Sequence, residues 1–256
     1  MDISVTGAKI YFRITLGSLT IDITQTTISL LVVTVLLSVL AIVCGRKLTK
    51  RPGRLQVVTE KLVSMLYGMV EDTMGKHNMH FAPYIGTLFL SSIVGSLIGL
   101  THIFRSTTQD LMVTLAWALI TTGMIWYTSI KNCGFLGWLK GFTEPIIVMT
   151  PMNIISEIAQ PFSLAFRHFG NVAGGSVLMS IVYAALAMLS SIVFGWLPGL
   201  LGEILGEIPF LQVGIPAILS LYFDLFSGFV QALVFTLLTM VYVGSANPPP
   251  EPAEQE

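Results

Sequence analysis

Residues 28–54, "ISLLVVTVLLSVLAIVCGRKLTKRPGR", decide the class of fold. The first eighteen, 28–45, carry no charge, and eighteen apolar residues suffice to cross a bilayer. The next nine hold Arg46, Lys47, Lys50, Arg51 and Arg54, and such a cluster marks the cytoplasmic end of a span. A cleavable signal would begin with basic residues and leave through a small-x-small site. Here twenty-seven residues precede the run and the exit is basic, so an uncleaved span with its amino-terminal end outside is expected.

Composition agrees. Of 256 residues 54% are hydrophobic and 11% charged, and the mean hydropathy of +0.80 is that of a polytopic membrane protein. The net charge of −1 excludes little, because thirteen cations and fourteen anions are divided among the loops. Cys44 and Cys133 have no paired spacing, so neither a disulfide framework nor a thiolate metal site is expected.

Working outward, 1–27 forms an external segment in which Ile10, Phe12, Ile14 and Leu16, then Leu19, Ile21 and Ile23, alternate around Gly17-Ser18 as in a hairpin. The first span is 28–45. Residues 46–82 hold the basic loop and an amphipathic surface helix, with Leu55, Val58, Leu62, Met65, Leu66 and Met69 at helical spacing. Residues 83–130 hold the second and third spans, "YIGTLFLSSIVGSLIGL" and "LMVTLAWALITTGMIWYTSI", and 131–150 connects on the cytoplasmic side with Lys131 and Lys140. Residues 151–244 read as an outward and an inward pass, and the Pro-rich acidic tail 245–256 as a disordered cytoplasmic end. No internal repeat is evident, which weighs against a transporter built from duplicated halves.

Residues 151–187 would extend roughly 55 Å as helix, against about 30 Å of hydrocarbon, and simple tilting cannot absorb the difference. The segment is therefore either broken, at Pro161, Gly170, Gly174 or Gly175, or part of a steeply inclined helical hairpin. Its polar residues fall in stripes. Ser163, Arg167, Asn171 and Gly174 share a helical face, as do Asp224, Ser227, Gly228 and Gln231 in the second pass. Such stripes suit an interior ion path, or simply tight helix packing. Arg167 is the only Lys or Arg after Lys140. At mid-membrane it costs about 2.5–3.5 kcal/mol, so it needs a function, a surface to reach, or a partner such as Glu157 ten residues away.

These residues resemble a known family. "PMNIISEIAQPFSLAFRHFGN" is similar to the signature of subunit a of the rotary F-type ATP synthase, approximately P-x-S-L-x-x-R-L-x-G-N after an acidic patch. The segments "RLQVVTEKLVSMLYGMVEDTMG", "FAPYIGTLFLSSIVGSLIGL", "TTQDLMVTLAWAL" and "FSGFVQALVFTLLTMVYV" resemble its surface helix, second and third spans and last helix, covering about 27–244 in order. The resemblance implies an all-α membrane protein of five to six helices, the stator channel of the complex. Two half-channels would abut the rotating c-ring and couple proton or sodium flow to rotation and ATP synthesis.

Arg167 matches the family's essential arginine, while Asn171, Gln231 and Gln160 match or adjoin positions lining the same region. The other implied partners are the peripheral-stalk b subunits, the rest of the complex and the lipid bilayer. No cofactor, resident metal or nucleic acid is expected, and the subunit is non-catalytic by itself. Departures from the pattern are His168 for Leu, Met112 and Ser96 for Asn, and Gly175 facing Asp224 where relatives carry two ionisable groups. The last leaves Asp224 as the single group at the outer entrance and bears on the coupling ion.

Weaker signals lead elsewhere. His77 and His80 form H-x-x-H without a third ligand nearby, and no H-E-x-x-H, P-loop or G-x-S-x-G occurs. The alternatives are a stand-alone secondary transporter, with Arg167 holding an anionic substrate, and an intramembrane enzyme, for which Asp224 lacks a second carboxylate. An Arg-rich transit peptide is absent, which favours a bacterial inner membrane. The orientation makes a direct prediction. In a chain in which Cys44 and Cys133 are first replaced by Ser, so that each variant has a single cysteine, Lys50→Cys should be labelled by an impermeant thiol reagent only from the cytoplasm and Leu205→Cys only from outside; the reverse pattern would overturn it.

Overall fold

The computed structural model describes residues 10–16, 19–46, 49–50, 52–101, 103–144, 146–195, 219 and 221–249. The expected Gly17-Ser18 turn, the connection expected between the outward and inward passes (196–218, with Pro198, Glu203, Glu207 and Pro209), and the tail beyond 249 lie outside the described residues. Strands β1 (Ile10–Leu16) and β2 (Leu19–Thr24) pair antiparallel. Arg13 Nε donates to Asp22 Oδ1 at 2.6 Å across the exposed ladder, and this bond holds the Asp22 carboxyl below its ordinary pKa. The helices are α1 (Gln25–Gly45), α2 (Arg54–Met74), α3 (Ala82–Leu97), α4 (Leu111–Gly141), α5 (Thr150–Gly195) and α6 (Gly228–Ala246). Among the described residues, five helices are long and apolar enough to cross a membrane.

Local sequence explains most boundaries. The run 28–45 propagates as α1, whose apolar residues Leu31, Val35, Val39 and Val43 stay exposed, as suits a helix whose solvent is lipid. α4 breaks at Gly134, where φ is 74° and ψ 162°, a conformation that glycine adopts without a Cβ clash. α5 is the unexpected element. Neither Pro161 nor its glycines break it, and its 46 residues run as one helix, so the broken alternative is not the one adopted. A π-wound segment, Leu221–Ser227, leads into α6. Its wider turn replaces the regular α spacing that places Asp224 and Ser227 in phase with Gln231.

The described residues belong to two compact units. One comprises Met1–Leu30, Gly95–Asp110 and Phe169–Gln231; the other Leu31–Val94, Leu111–His168 and Ala232–Glu256. In the first, Ser96, Ser106 and Thr108 form a buried hydroxyl cluster, with Ser106 Oγ donating to the Gly95 carbonyl at 3.0 Å. Gly228 packs on Ser96 so closely that a Cβ would meet it at 3.3 Å, which supports tight packing as the reason for that glycine. In the second, Val70, Met74, Ala82, Ile85, Ile125, Met240 and Val243 make one apolar cluster, and Leu88, Ala118, Leu164, Ala165 and Phe235 another.

The end of α6 is held by asparagines. Asn247 Nδ2 donates to the buried Asn78 Oδ1 at 2.6 Å, and Asn78 Nδ2 donates to the carbonyls of Met74 and Asn247 at 2.8 and 3.1 Å. Asn132 Nδ2 reaches the Ala246 carbonyl and Asn247 Oδ1 at 3.1 and 2.6 Å. These side chains satisfy carbonyls that a helix end leaves without donors. Asn78→Ala should therefore destabilise the protein by about 1–3 kcal/mol, read as a lowered melting temperature in detergent. An unchanged melting temperature would refute the role of this knot.

Candidate functional site

α5 has two unlike faces. Positions at steps of three and four from Met152 through Ser156, Ser163, Arg167, Asn171, Gly174, Leu178 and Ile181 to Ile192 are exposed, and only Arg167 among them is charged. The other side buries Pro161, Leu164, Ala165 and His168. The division follows from the sequence, because one step along a helix turns a side chain by about 100° and separates Arg167 from His168. Around Gly170 and Gly174 an added Cβ would meet nothing within 4 Å, so packing within the chain does not demand either glycine. This part of the helix is left bare and small.

Arg167 has no hydrogen-bond or ion-pair partner among the described residues. Glu157 is engaged elsewhere: Trp126 Nε1 on α4 donates to Glu157 Oε1 at 2.6 Å. The Glu157–Arg167 pair considered from spacing is thus not formed. One turn beyond Arg167, Asn171 Nδ2 donates to Gln231 Oε1 at 2.6 Å, joining two residues sixty positions apart in the stripes of α5 and α6. Gln231 is 4% exposed and its Nε2 has no partner among the described residues, leaving a buried amide with donor capacity to spare.

Two cavities lie within the respective units. In the second unit, one of about 510 Å³ is bordered by Ser129, Asn153, Ser156, Glu157 and Gln160, with Trp138 and Phe142 as its aromatic wall. In the first unit, one of about 440 Å³ is bordered by Ser96, Arg105, Gln109, Ser176, Tyr183 and Gly228. Of the expected site residues, Asn171 and Gln231 are joined, Gln160 borders a cavity, and Ser163 and Gly174 accompany Arg167 on the exposed face. Gly175 is half-buried on α5, and Asp224 belongs to the π-wound segment. The roles of Trp126 and Ser92 carried no signal in their own segments, because their partners lie on other helices.

His168 belongs to the core. It is fully buried, edge-on to Trp117 and Phe235, with Nε2 3.2 Å from Ser92 Oγ. Its Nδ1 has no partner among the described residues. His77 and His80 are held in hydrogen bonds instead, His77 Nε2 to the Asn247 carbonyl at 2.7 Å and His80 Nδ1 to the His77 carbonyl at 3.2 Å.

A multi-helix membrane protein whose longest described helix exposes one arginine on an apolar and small-residue face defines a class: a membrane protein of several spans with a charge on an uncovered helix face. The comparisons say which. Residues 26–244 match the family model for the ATP synthase A chain. The chain is similar to "ATP synthase subunit a, sodium ion specific" of Propionigenium modestum, 32% identical over 207 residues, which cover 75% of this chain and 63% of that one. It is 31% identical to "ATP synthase subunit a 2" of Bradyrhizobium sp. over 83% of this chain and 85% of the relative, and 31% identical to "ATP synthase subunit a" of Listeria welshimeri over 90% and 94%. The chain belongs to the ATP synthase A chain family, whose members are subunits of the ATP synthase complex.

The core position of His168 is testable. His168→Leu removes one hydrogen bond but also a half-satisfied buried imidazole, so stability should change by less than about 1.5 kcal/mol and ATP-driven ion pumping should persist. Loss of pumping in a complex with normal thermal stability would give His168 a role in ion handling instead.

Proposed function

We propose that this chain is the ion-translocating stator of an F-type ATP synthase, forming two half-channels against a rotating c-ring and coupling proton or sodium flow to ATP synthesis. One observation carries this reading: Arg167 is exposed in the middle of an exposed apolar helix face. A guanidinium facing lipid there would be costly, so a partner with a complementary charge has to cover it. A ring of subunits bearing buried carboxylates has that chemistry, and the bare Gly170 and Gly174 leave room for close helix approach. A stand-alone transporter would be expected to enclose its arginine.

The physical chemistry defines the roles. A ring carboxylate must release its ion between the half-channels, and a fixed positive charge stabilises the ionised form. The charge must also be permanent, or the site would relay ions straight through; arginine stays protonated where a buried lysine does not. Asn171, Gln231 and Gln160 take part in ion passage, Ser163 and Gly174 continue the ring-facing stripe, and Asp224, the single ionisable group left where the chain has Gly175, serves the outer entrance. The peripheral-stalk b subunits hold the stator. The setting is the cell inner membrane, with the amino terminus outside and the carboxyl terminus cytoplasmic.

Arg167→Ala should abolish ATP-driven ion pumping in the assembled complex while the detached catalytic head still hydrolyses ATP. Arg167→Gln pumping at the wild-type rate would overturn the assignment.

A further inference from the structure

The cavity of the second unit holds a carboxylate in a built setting. Glu157 borders it together with Gln160, Asn153, Ser156 and Ser129, four further residues whose side chains carry an oxygen. Glu157 is the only acidic residue on its wall, Tyr242 is the only other titratable group there, and no Lys, Arg or His borders it among the described residues. Such a lining favours a cation over an anion. Pro161, four residues after Glu157 in the same helix, has no N–H to donate to the Glu157 carbonyl, which leaves a further oxygen without its helical donor.

Glu157 is also held. Trp126 Nε1 donates to Oε1 at 2.6 Å, which leaves Oε2 outside that bond. The indole is itself braced: its ring centroid lies 6.1 Å from that of Trp138, and Trp138 meets Phe142 edge-on at 5.0 Å. Trp138 and Phe142 are the aromatic wall of the same cavity. The helix break at Gly134 precedes both, so the turn that only glycine adopts without strain also brings this bracket into place.

We propose that Trp126 is a positioning residue, fixing Glu157 through its indole N–H as the carboxylate that collects the coupling cation in this cavity. The assignment rests on the stator reading and deepens it. A carboxylate held in one rotamer meets the ion without first losing side-chain freedom, which lowers the ion concentration needed to load the path. Replacing the indole by the smaller phenyl ring of phenylalanine keeps an aromatic side chain beside Trp138 and loses the N–H that holds Glu157.

The test uses the whole complex in inverted liposomes, with ATP-driven uptake measured against the concentration of sodium at fixed pH and against pH at fixed sodium. Trp126→Phe should raise the half-saturating concentration of the coupling ion by roughly three- to tenfold, the loss of about one hydrogen bond, and should affect it more than the maximal rate. Glu157→Gln, whose amide oxygen still accepts from the indole, should raise it at least as much. Adding Trp126→Phe to Glu157→Gln should raise it no further, because both act through one charge.

An unchanged half-saturation in Trp126→Phe, or full additivity in the double variant, overturns the positioning role. Should Trp126→Phe not assemble, an unchanged half-saturation in Glu157→Gln overturns the proposal alone. The two layers separate cleanly: if Arg167→Gln pumps like wild type, the stator reading falls and this one with it. If Arg167→Gln is dead and Trp126→Phe is indistinguishable from wild type, only the assignment of Trp126 falls.

Discussion

An arginine exposed on an apolar helix face is a cost that no described residue of this chain offsets. Arg167 meets no carboxylate among the described residues, since Glu157 is bonded to Trp126. Around it α5 is uncovered along one side and packed along the other, where Leu164, Ala165 and His168 are buried. The helix therefore works as a partition. Its packed side attaches to the protein, and its uncovered side carries Arg167 as its one charge in the stripe through Ser163 and Asn171.

Partition also explains where the polar groups collect. Uncharged side chains that would be costly in hydrocarbon pair off, Asn171 with Gln231 and Ser92 with His168, or gather round the two cavities. The cavities differ in character. That of the second unit carries Glu157 and an amide-and-hydroxyl wall, while that of the first carries Arg105 with hydroxyls and glutamines. Both belong to a chain of the ATP synthase A chain family.

Several features were legible because they depend on neighbours in the chain. The apolar run 28–45 lies within α1, the alternation about Gly17-Ser18 became β1 and β2, and the step from Arg167 to His168 separated an exposed residue from a core residue. Pro161 misled in part. Proline in a helix removes one donor, but the helix continues through it, with residue 161 on its packed side. The spacing of Asp224, Ser227, Gly228 and Gln231 assumed regular α winding, whereas the segment up to Ser227 is π-wound.

By itself the sequence determined the membrane class, the apolar segments and the solitary Arg167, because hydropathy, charge and helical period are properties of short stretches. The family likeness was legible for the same reason, since its motifs are contiguous. Only the tertiary structure decided that Glu157 is bonded to Trp126, that Asn171 meets Gln231, and that Gly228 is demanded by packing while Gly174 is not. Those outcomes depend on which helix faces come together, and residues thirty-one or sixty positions apart leave no mark of that in their local spacing.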